Sequence, residues 1–238
     1  MTCNSDNVWR KTNKYLLENY HIRQYNEQYE SVKFIVNHIK NLVDTNVNSI
    51  CDLGCGADSL CYWLNKNINN LNYTGIDICE ETLNIAILYN KDSKFIKMRF
   101  QDCNDLLNNI VISNQTLLII SPELADEFII KHFTLSNRYV IIFSLFTDSD
   151  LEIHTKINDP YNNEIVYYNI FPISKINQIA ENFGFKLLIN EPFYINKKLD
   201  KPERSGRGTY TIETINNELL QFSDVLYLPW KIIIYEKK

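Results

Sequence analysis

Ser49-Ile50-Cys51-Asp52-Leu53-Gly54-Cys55-Gly56-Ala57-Asp58-Ser59 is the stretch that decides how the chain folds. Ser49–Leu53 is a short apolar run of the kind that forms a buried strand. Gly54 and Gly56 then supply backbone angles closed to other residues and let a ligand approach the main chain. A helical stretch begins at about residue 58, so strand, acid, two glycines and helix start follow one another without a gap. The next apolar run ends in Gly75-Ile76-Asp77, twenty-five residues after Asp52. A carboxylate there can accept both hydroxyls of a ribose lying across the first turn.

Outward from this unit the pattern repeats. Runs at Ser49–Leu53, Tyr73–Ile78, Lys94–Phe100, Gln115–Ser121 and Arg138–Phe146 read as buried strands, and stretches near 58–66, 80–89 and 123–133 as helices between them. That alternation predicts a parallel sheet covered by helices on both faces. Upstream, Tyr29, Val32, Ile35, Val36, Ile39 and Leu42 recur at intervals of three and four, one face of an amphipathic helix. Downstream, Pro172–Phe183 reads as a helix stopped by Gly184, and Phe185–Ile195 as a strand. The connection Asp148–Asn169 reads as a long loop on the side where open α/β sheets bind ligands, and Lys197–Gly208 as a second loop.

Composition sets the outer limits. A chain of 238 residues, 45% hydrophobic and 13% aromatic, has ample material for one packed domain with a small appendage. A net charge of −5 gives no global attraction to nucleic acid or to an anionic membrane, so any anion site must be local. No run of 18 apolar residues occurs and the first ten residues lack a hydrophobic core, so neither a membrane span nor a signal peptide is expected, and the cytoplasm is the expected location. The six cysteines form no C-x-x-C pair and read as free, mostly buried thiols. No metal site is expected, and nothing in the sequence specifies oligomeric state.

Asp52-Leu53-Gly54-Cys55-Gly56 resembles motif I of the class I (Rossmann-like) S-adenosylmethionine-dependent methyltransferases, and the resemblance extends over about residues 49–146. In that family the acid works near the cationic methionine end of the cofactor. A carboxylate beside a sulfonium and an ammonium is favourable, whereas beside a dinucleotide pyrophosphate it is repulsive, so Gly54-x-Gly56-x-x-Ser59 fits a dinucleotide fingerprint less well. The resemblance implies that Asp52, Gly54 and Gly56 line the cofactor, that Asp77 takes the ribose and that Ile78 packs on the adenine. It further implies that Asp102 and Cys103 read the adenine edge, and that Ser121, before Pro122-Glu123, lies at the lip facing the methyl group. The chain departs from the family at Asp58, where a third glycine is usual; a side chain there is tolerable as a helix cap.

The fold implied is α/β: a doubly wound, seven-stranded, mostly parallel sheet in the order 3-2-1-4-5-7-6 with the last strand, Leu226–Tyr235, antiparallel. Residues 1–48 would form N-terminal helices acting as a lid on the substrate side, with Trp9, Tyr15, Tyr20, Tyr25 and Tyr29 supplying rings. Residues 49–238 would form the Rossmann-like domain, with substrate-side insertions at 148–170 and 197–223.

The acceptor side rests on fewer signals. Glu123 and His154 are the candidate general bases, Tyr161 and Tyr168 candidate substrate contacts. Lys197–Arg207 holds five basic residues against two acidic ones, a local charge of +3. Within it Arg204 and Arg207 present guanidinium forks suited to a phosphate or carboxylate, although a solvated basic loop would carry the same charges. The segments Gly208-Thr-Tyr-Thr211, Gln221-Phe-Ser223 and Leu228-Pro-Trp-Lys231 resemble the C-terminus of uncharacterised bacterial methyltransferases of this size, which favours a small metabolite over nucleic acid, and no Asn-Pro-Pro-Tyr signature of base-modifying enzymes is present. The expected reaction is O- or N-methylation of a small, anionic metabolite with S-adenosylhomocysteine as product, without nucleic-acid or membrane partners. A non-catalytic adenosylmethionine-binding subunit and a nicotinamide-dependent oxidoreductase stay open as alternatives.

Overall fold

The computed structural model describes residues 21–159, 164–201, 209–223 and 225–238. In chain order they form α1 (Arg23–Asn26), α2 (Glu30–Lys40), β1 (Ser49–Leu53), α3 (Ser59–Asn67), β2 (Asn72–Asp77), α4 (Glu80–Tyr89), β3 (Lys94–Lys97), β4 (Asn108–Asn114), α5 (Pro122–Leu135) and β5 (Ser136–Thr147). Then follow β6 (Ile153–Asp159), β7 (Glu164–Pro172), α6 (Ile173–Asn182), β8 (Phe185–Pro192), β9 (Thr209–Glu213), β10 (Leu219–Ser223), β11 (Leu226–Tyr227) and β12 (Trp230–Lys237).

The main sheet runs β3-β2-β1-β4-β5-β12-β8. Its first five strands are parallel, and β12 is antiparallel to both β5 and β8. Counted along this path β8 is the sixth strand and β12 the seventh, which is the order the resemblance implied, but β6 and β7 join it through β5, so the sheet has nine strands rather than seven. Side chains alternate across it. Ile110 and Ile112 of β4 join the core under α2 and α3, where Ile35, Ile39, Leu60 and Leu64 are buried. Val111, between them, points into the opposite core with Phe128 and Phe133 of α5 and Ile176 of α6. The face of α2 buried in this packing is Val32, Ile35, Val36 and Ile39, the stripe read from its periodicity.

Four local readings change. The fourth strand is Asn108–Asn114, not Gln115–Ser121: Gln115 takes a positive φ of 62° and Leu117–Ile119 closes a 3₁₀ turn. The flanking asparagines hid the real strand, whose Ile110–Ile112 centre is fully buried. The third strand stops at Lys97, and Phe100–Asp102 is a 3₁₀ turn. The connection after β5 is not a loop but the antiparallel hairpin β6–β7, held to the sheet by parallel pairing of Phe146 with Phe171. Its signal was the β-branched and aromatic run Ile165-Val-Tyr-Tyr-Asn-Ile-Phe171. Finally, Leu226–Tyr235 is two elements. Pro229 cannot donate to a ladder, so Leu226–Tyr227 pairs with β10 in a separate three-stranded sheet β11-β10-β9, and only Trp230 onward joins the main sheet.

The five cysteines among the described residues are free. No described helix is long and apolar enough to cross a membrane.

Candidate cofactor and acceptor site

The turn between β1 and α3 is held from three sides. Gly54 and Gly56 have φ of 80° and 56°, in the left-handed region. The amides of Gly54 and Cys55 both donate to the Ile76 carbonyl, at 2.8 and 3.0 Å. Thr116 closes from the β4 side, its Oγ1 donating to the Gly54 carbonyl at 3.0 Å. A Cβ on Gly54 would stand 2.4 Å from Thr116 Cγ2, whereas one on Gly56 would meet nothing within 4 Å. The two glycines therefore do different jobs. Gly54 admits the protein's own Thr116; Gly56 turns its bare backbone to open space.

Asp77 ends β2 beside that opening. Its Oδ2 accepts from the Gly56 amide and its Oδ1 from the Cys79 amide, each at 2.8 Å. Burial raises its carboxyl above the ordinary aspartate range, opposed by bonds from the Cys79, Gly56 and Ile78 amides. Ile78 follows directly in the corner before α4. Asp102 lies in the 3₁₀ turn after β3, with its exposed carboxylate held below its ordinary range by Arg99, whose Nε and Nη2 donate at 2.9 and 3.0 Å. Cys103 beside it is buried, and its thiol pairs with that of Cys51.

Asp52 is not at the surface of the turn but beneath it, 1% exposed. Its Oδ2 accepts from Tyr73 Oη at 2.8 Å, and the same hydroxyl lies 3.0 Å from Oδ1 of Asp58. Asp58 occupies the usual glycine position with φ 55°, ψ 51°, and its Oδ1 caps α3 by accepting from the Cys61 amide at 2.9 Å. Asp52 Oδ1 and Asp58 Oδ2 are buried without a partner. Burial pushes the Asp52 carboxyl up to about 7, against the Tyr73 hydrogen bond, and burial followed by the Asp52 charge holds Asp58 well above its ordinary range. Gly75 is required here, since a Cβ would stand 2.7 Å from Cys55 Sγ and 2.9 Å from Asp58 Oδ2. The sequence marked Asp52 and the unusual Asp58, but not Tyr73, which joins them only through the pairing of β1 with β2.

The far end of the site gathers around Ile120-Ser121. Ser121 precedes α5 and its hydroxyl donates to Glu123, which holds the Glu123 carboxyl below the ordinary range. Asn169 of β7 is fully buried; its Nδ2 donates to the Ile120 carbonyl at 2.7 Å. That fixes its Oδ1 as the acceptor facing His154 Nδ1 at 2.8 Å, so Nδ1 carries a hydrogen. His154 Nε2 lies 3.0 Å from Glu152, which Lys175 contacts at 2.7 Å while also reaching Asp126 at 2.6 Å. Both ring nitrogens of His154 are thus engaged. Tyr168 stands half-buried on the same hairpin, its Oη 3.4 Å from Ser223 Oγ on β10. Asn169, Glu152, Lys175 and Asp126 were not singled out from sequence, because asparagine is so common in this chain and the acids and lysine lie on three different elements. Tyr161, Arg204, Arg207 and the rings from Trp9 to Tyr20 lie outside the described residues.

A mostly parallel sheet of this order, with an acid near the end of its first strand, a glycine turn after it and an acid closing its second strand, defines a Rossmann-like architecture. Residues 44–201 match the methyltransferase domain family, and the chain belongs to that family. No curated protein sequence matches it. Among solved structures it resembles magnesium protoporphyrin IX methyltransferase from Synechocystis with bound adenosylmethionine, at 14% identity and TM-score 0.61, covering 99% of this chain and 98% of that one. The 1,6-didemethyltoxoflavin-N1-methyltransferase of Burkholderia thailandensis, with adenosylhomocysteine bound, aligns at 9% identity and TM-score 0.54 over 94% and 88% of the two chains. A candidate RNA methyltransferase from Pyrococcus horikoshii aligns at 15% identity and TM-score 0.56 over 96% and 91%. At such identities the likeness is one of fold.

Proposed function

We propose that this protein transfers a methyl group from S-adenosylmethionine to an oxygen or nitrogen of a small, anionic metabolite, releasing S-adenosylhomocysteine. The observation that carries the donor is the open face of Gly56 with Asp77 beside it. A carboxylate offers about four lone-pair sites, so Asp77, with the Gly56, Cys79 and Ile78 amides bonded, keeps room for a ribose hydroxyl while still holding the turn. Ile78, Asp102 and Ser121 continue the cofactor surface, with Asp102 meeting the adenine from its Arg99 pair and Cys103 buried behind it. Gly54 acts at one remove, by letting Thr116 brace the turn.

The donor brings its own leaving group, so the protein's work is alignment and exclusion of water. A protonated acceptor would need a base. Neither candidate is well suited: Glu123 has its carboxyl held low by Ser121, and both nitrogens of His154 are engaged. A carboxylate or phosphate oxygen has no proton to lose, and this supports an acceptor of that class. The positive segment around Arg204 and Arg207, with Tyr161 and Tyr168, is the proposed acceptor surface, and the segment preceding α2 its proposed lid, since α2 itself is packed into the core against β4 and α3. The net charge of −5 argues against nucleic acid as the acceptor.

The test is calorimetric titration with adenosylmethionine and with NAD, followed by assay of adenosylhomocysteine release over a panel of carboxylate and phosphate metabolites. Adenosylmethionine binding with turnover of an anionic acceptor is expected. Binding of NAD in its place would contradict the assignment of the donor to this turn. Donor binding without turnover of any carboxylate or phosphate would contradict the anionic acceptor.

A further inference from the structure

We propose that Asp52 and Asp58 share one proton through Tyr73 beneath the glycine turn, and that a cation bound on the turn expels it, making this buried pair a selector for the sulfonium donor over its neutral-sulfur product. The inference rests on the donor reading above for the cation, but the shared proton stands on the geometry alone.

Tyr73 has one hydroxyl hydrogen and faces two carboxyl oxygens, at 2.8 and 3.0 Å. It can satisfy one. The two oxygens therefore lie within the roughly 4–6 Å range over which one negative charge suppresses a second. Asp52 and Asp58 are only 1% and 4% exposed. Asp52 Oδ1 and Asp58 Oδ2 have no partner, a modest loss for a neutral acid and a large one for an anion. The other titratable groups facing the pair are Asp77 at the end of β2, Cys51 on β1, Cys55 in the turn, Cys61 on α3 and Tyr25 on α1. None is a cation, and no basic side chain bonds either carboxyl among the described residues. Two charges would stand uncompensated; one, spread across Tyr73, is tolerable.

A ligand carrying positive charge supplies what the protein lacks. Adenosylmethionine brings a sulfonium and an ammonium, adenosylhomocysteine only the ammonium. The full second charge on the pair is therefore favoured by the donor and less so by the product. This would use Asp58, in the place of a glycine, for more than its cap on α3.

Two measurements test it separately. First, infrared difference spectra of the ligand-free protein near neutral pH should show a neutral carboxylic acid that is missing in Asp58→Asn. Second, titrations in buffers of different ionisation enthalpy should show release of up to one proton per adenosylmethionine, less with adenosylhomocysteine, and none in Asp58→Asn. Wild-type affinity for adenosylmethionine should correspondingly rise several-fold from about pH 6 to about pH 8. If Asp58→Asn fails to fold, Tyr73→Phe, which removes the bridge, should alter the same carboxyl band. Absence of the neutral-acid band overturns the shared proton. Equal proton release by donor and product overturns the selector. Failure of adenosylmethionine to bind at all overturns the donor reading and the selector with it, while leaving the infrared result to decide the shared proton.

Discussion

Asn169 Nδ2 donates to the Ile120 carbonyl at 2.7 Å, so a residue of the β6–β7 hairpin is bonded directly to the segment that follows β4. The same side chain orients His154, so one fully buried amide sets the geometry of the proposed acceptor face. Asn169→Ala removes both of these hydrogen bonds and opens a gap at a fully buried position, and should cost about 1–3 kcal/mol of stability. Chemical denaturation measures it. Acceptor turnover should fall while adenosylmethionine affinity stays near wild type, because Asn169 does not touch the glycine turn. A parallel loss of donor affinity would show that the hairpin also supports the cofactor.

The two turn glycines should separate by phenotype. Gly54→Ala drives a methyl into Thr116 at a backbone angle that L-residues resist, and should destabilise the fold by about 2–5 kcal/mol. Gly56→Ala meets no neighbour and should cost only the left-handed strain, about 1–2 kcal/mol. Its larger effect should appear in calorimetry, as loss of adenosylmethionine affinity from a protein that still melts cooperatively. Equal phenotypes would mean that Gly56 does not face the ligand.

This division shows what the sequence could and could not convey. Ser49–Ser59 specified strand, turn and helix because glycine angles and apolar runs are local properties, and the strand order followed from resemblance. The Asn108–Asn114 strand was missed because polar residues flank its three-residue apolar centre. The hairpin was missed because a Tyr- and Asn-rich segment reads as a loop unless its β-branched residues are weighed. Asp77 and Gly56 were visible at the ends of their elements. The Tyr73 bridge and the Asn169 bond were not, since each joins residues brought together only by strand pairing.

Stability should depend on pH in a way that isolates Asp52 and Asp58. A carboxyl with its folded-state value raised to about 7 binds more protons folded than unfolded between its ordinary 3.8 and that value. Stability from the pair is therefore present at low pH and lost as pH rises through about 7. Buried His132, lowered to about 4, acts in the opposite sense, costing stability as pH falls below 6.5. The difference in Tm between Asp58→Asn and wild type cancels the histidine. It should move in favour of Asn as pH rises from about 5 to about 8. A constant difference would show that the carboxyls do not titrate in that window.

Replacing Arg204 and Arg207 together by Ala should lower kcat/KM for the anionic acceptor by two or more orders of magnitude, on the basis of about 1.5–3 kcal/mol for each charged contact. Donor affinity should hardly change. Steady-state kinetics with the acceptor found by the metabolite panel decides the matter, and unchanged constants would make the segment a solvated basic loop.

The most direct test of the account is the affinity of Asp77→Ala for adenosylmethionine, measured by titration calorimetry beside wild type, with thermal melting to establish that the turn has folded. Asp77 holds Gly56 and faces its open side, and removing its bond to the ribose should weaken binding by about 2–3 kcal/mol, roughly 30- to 150-fold. A folded Asp77→Ala protein that binds adenosylmethionine as tightly as wild type would contradict the assignment of the cofactor to this turn.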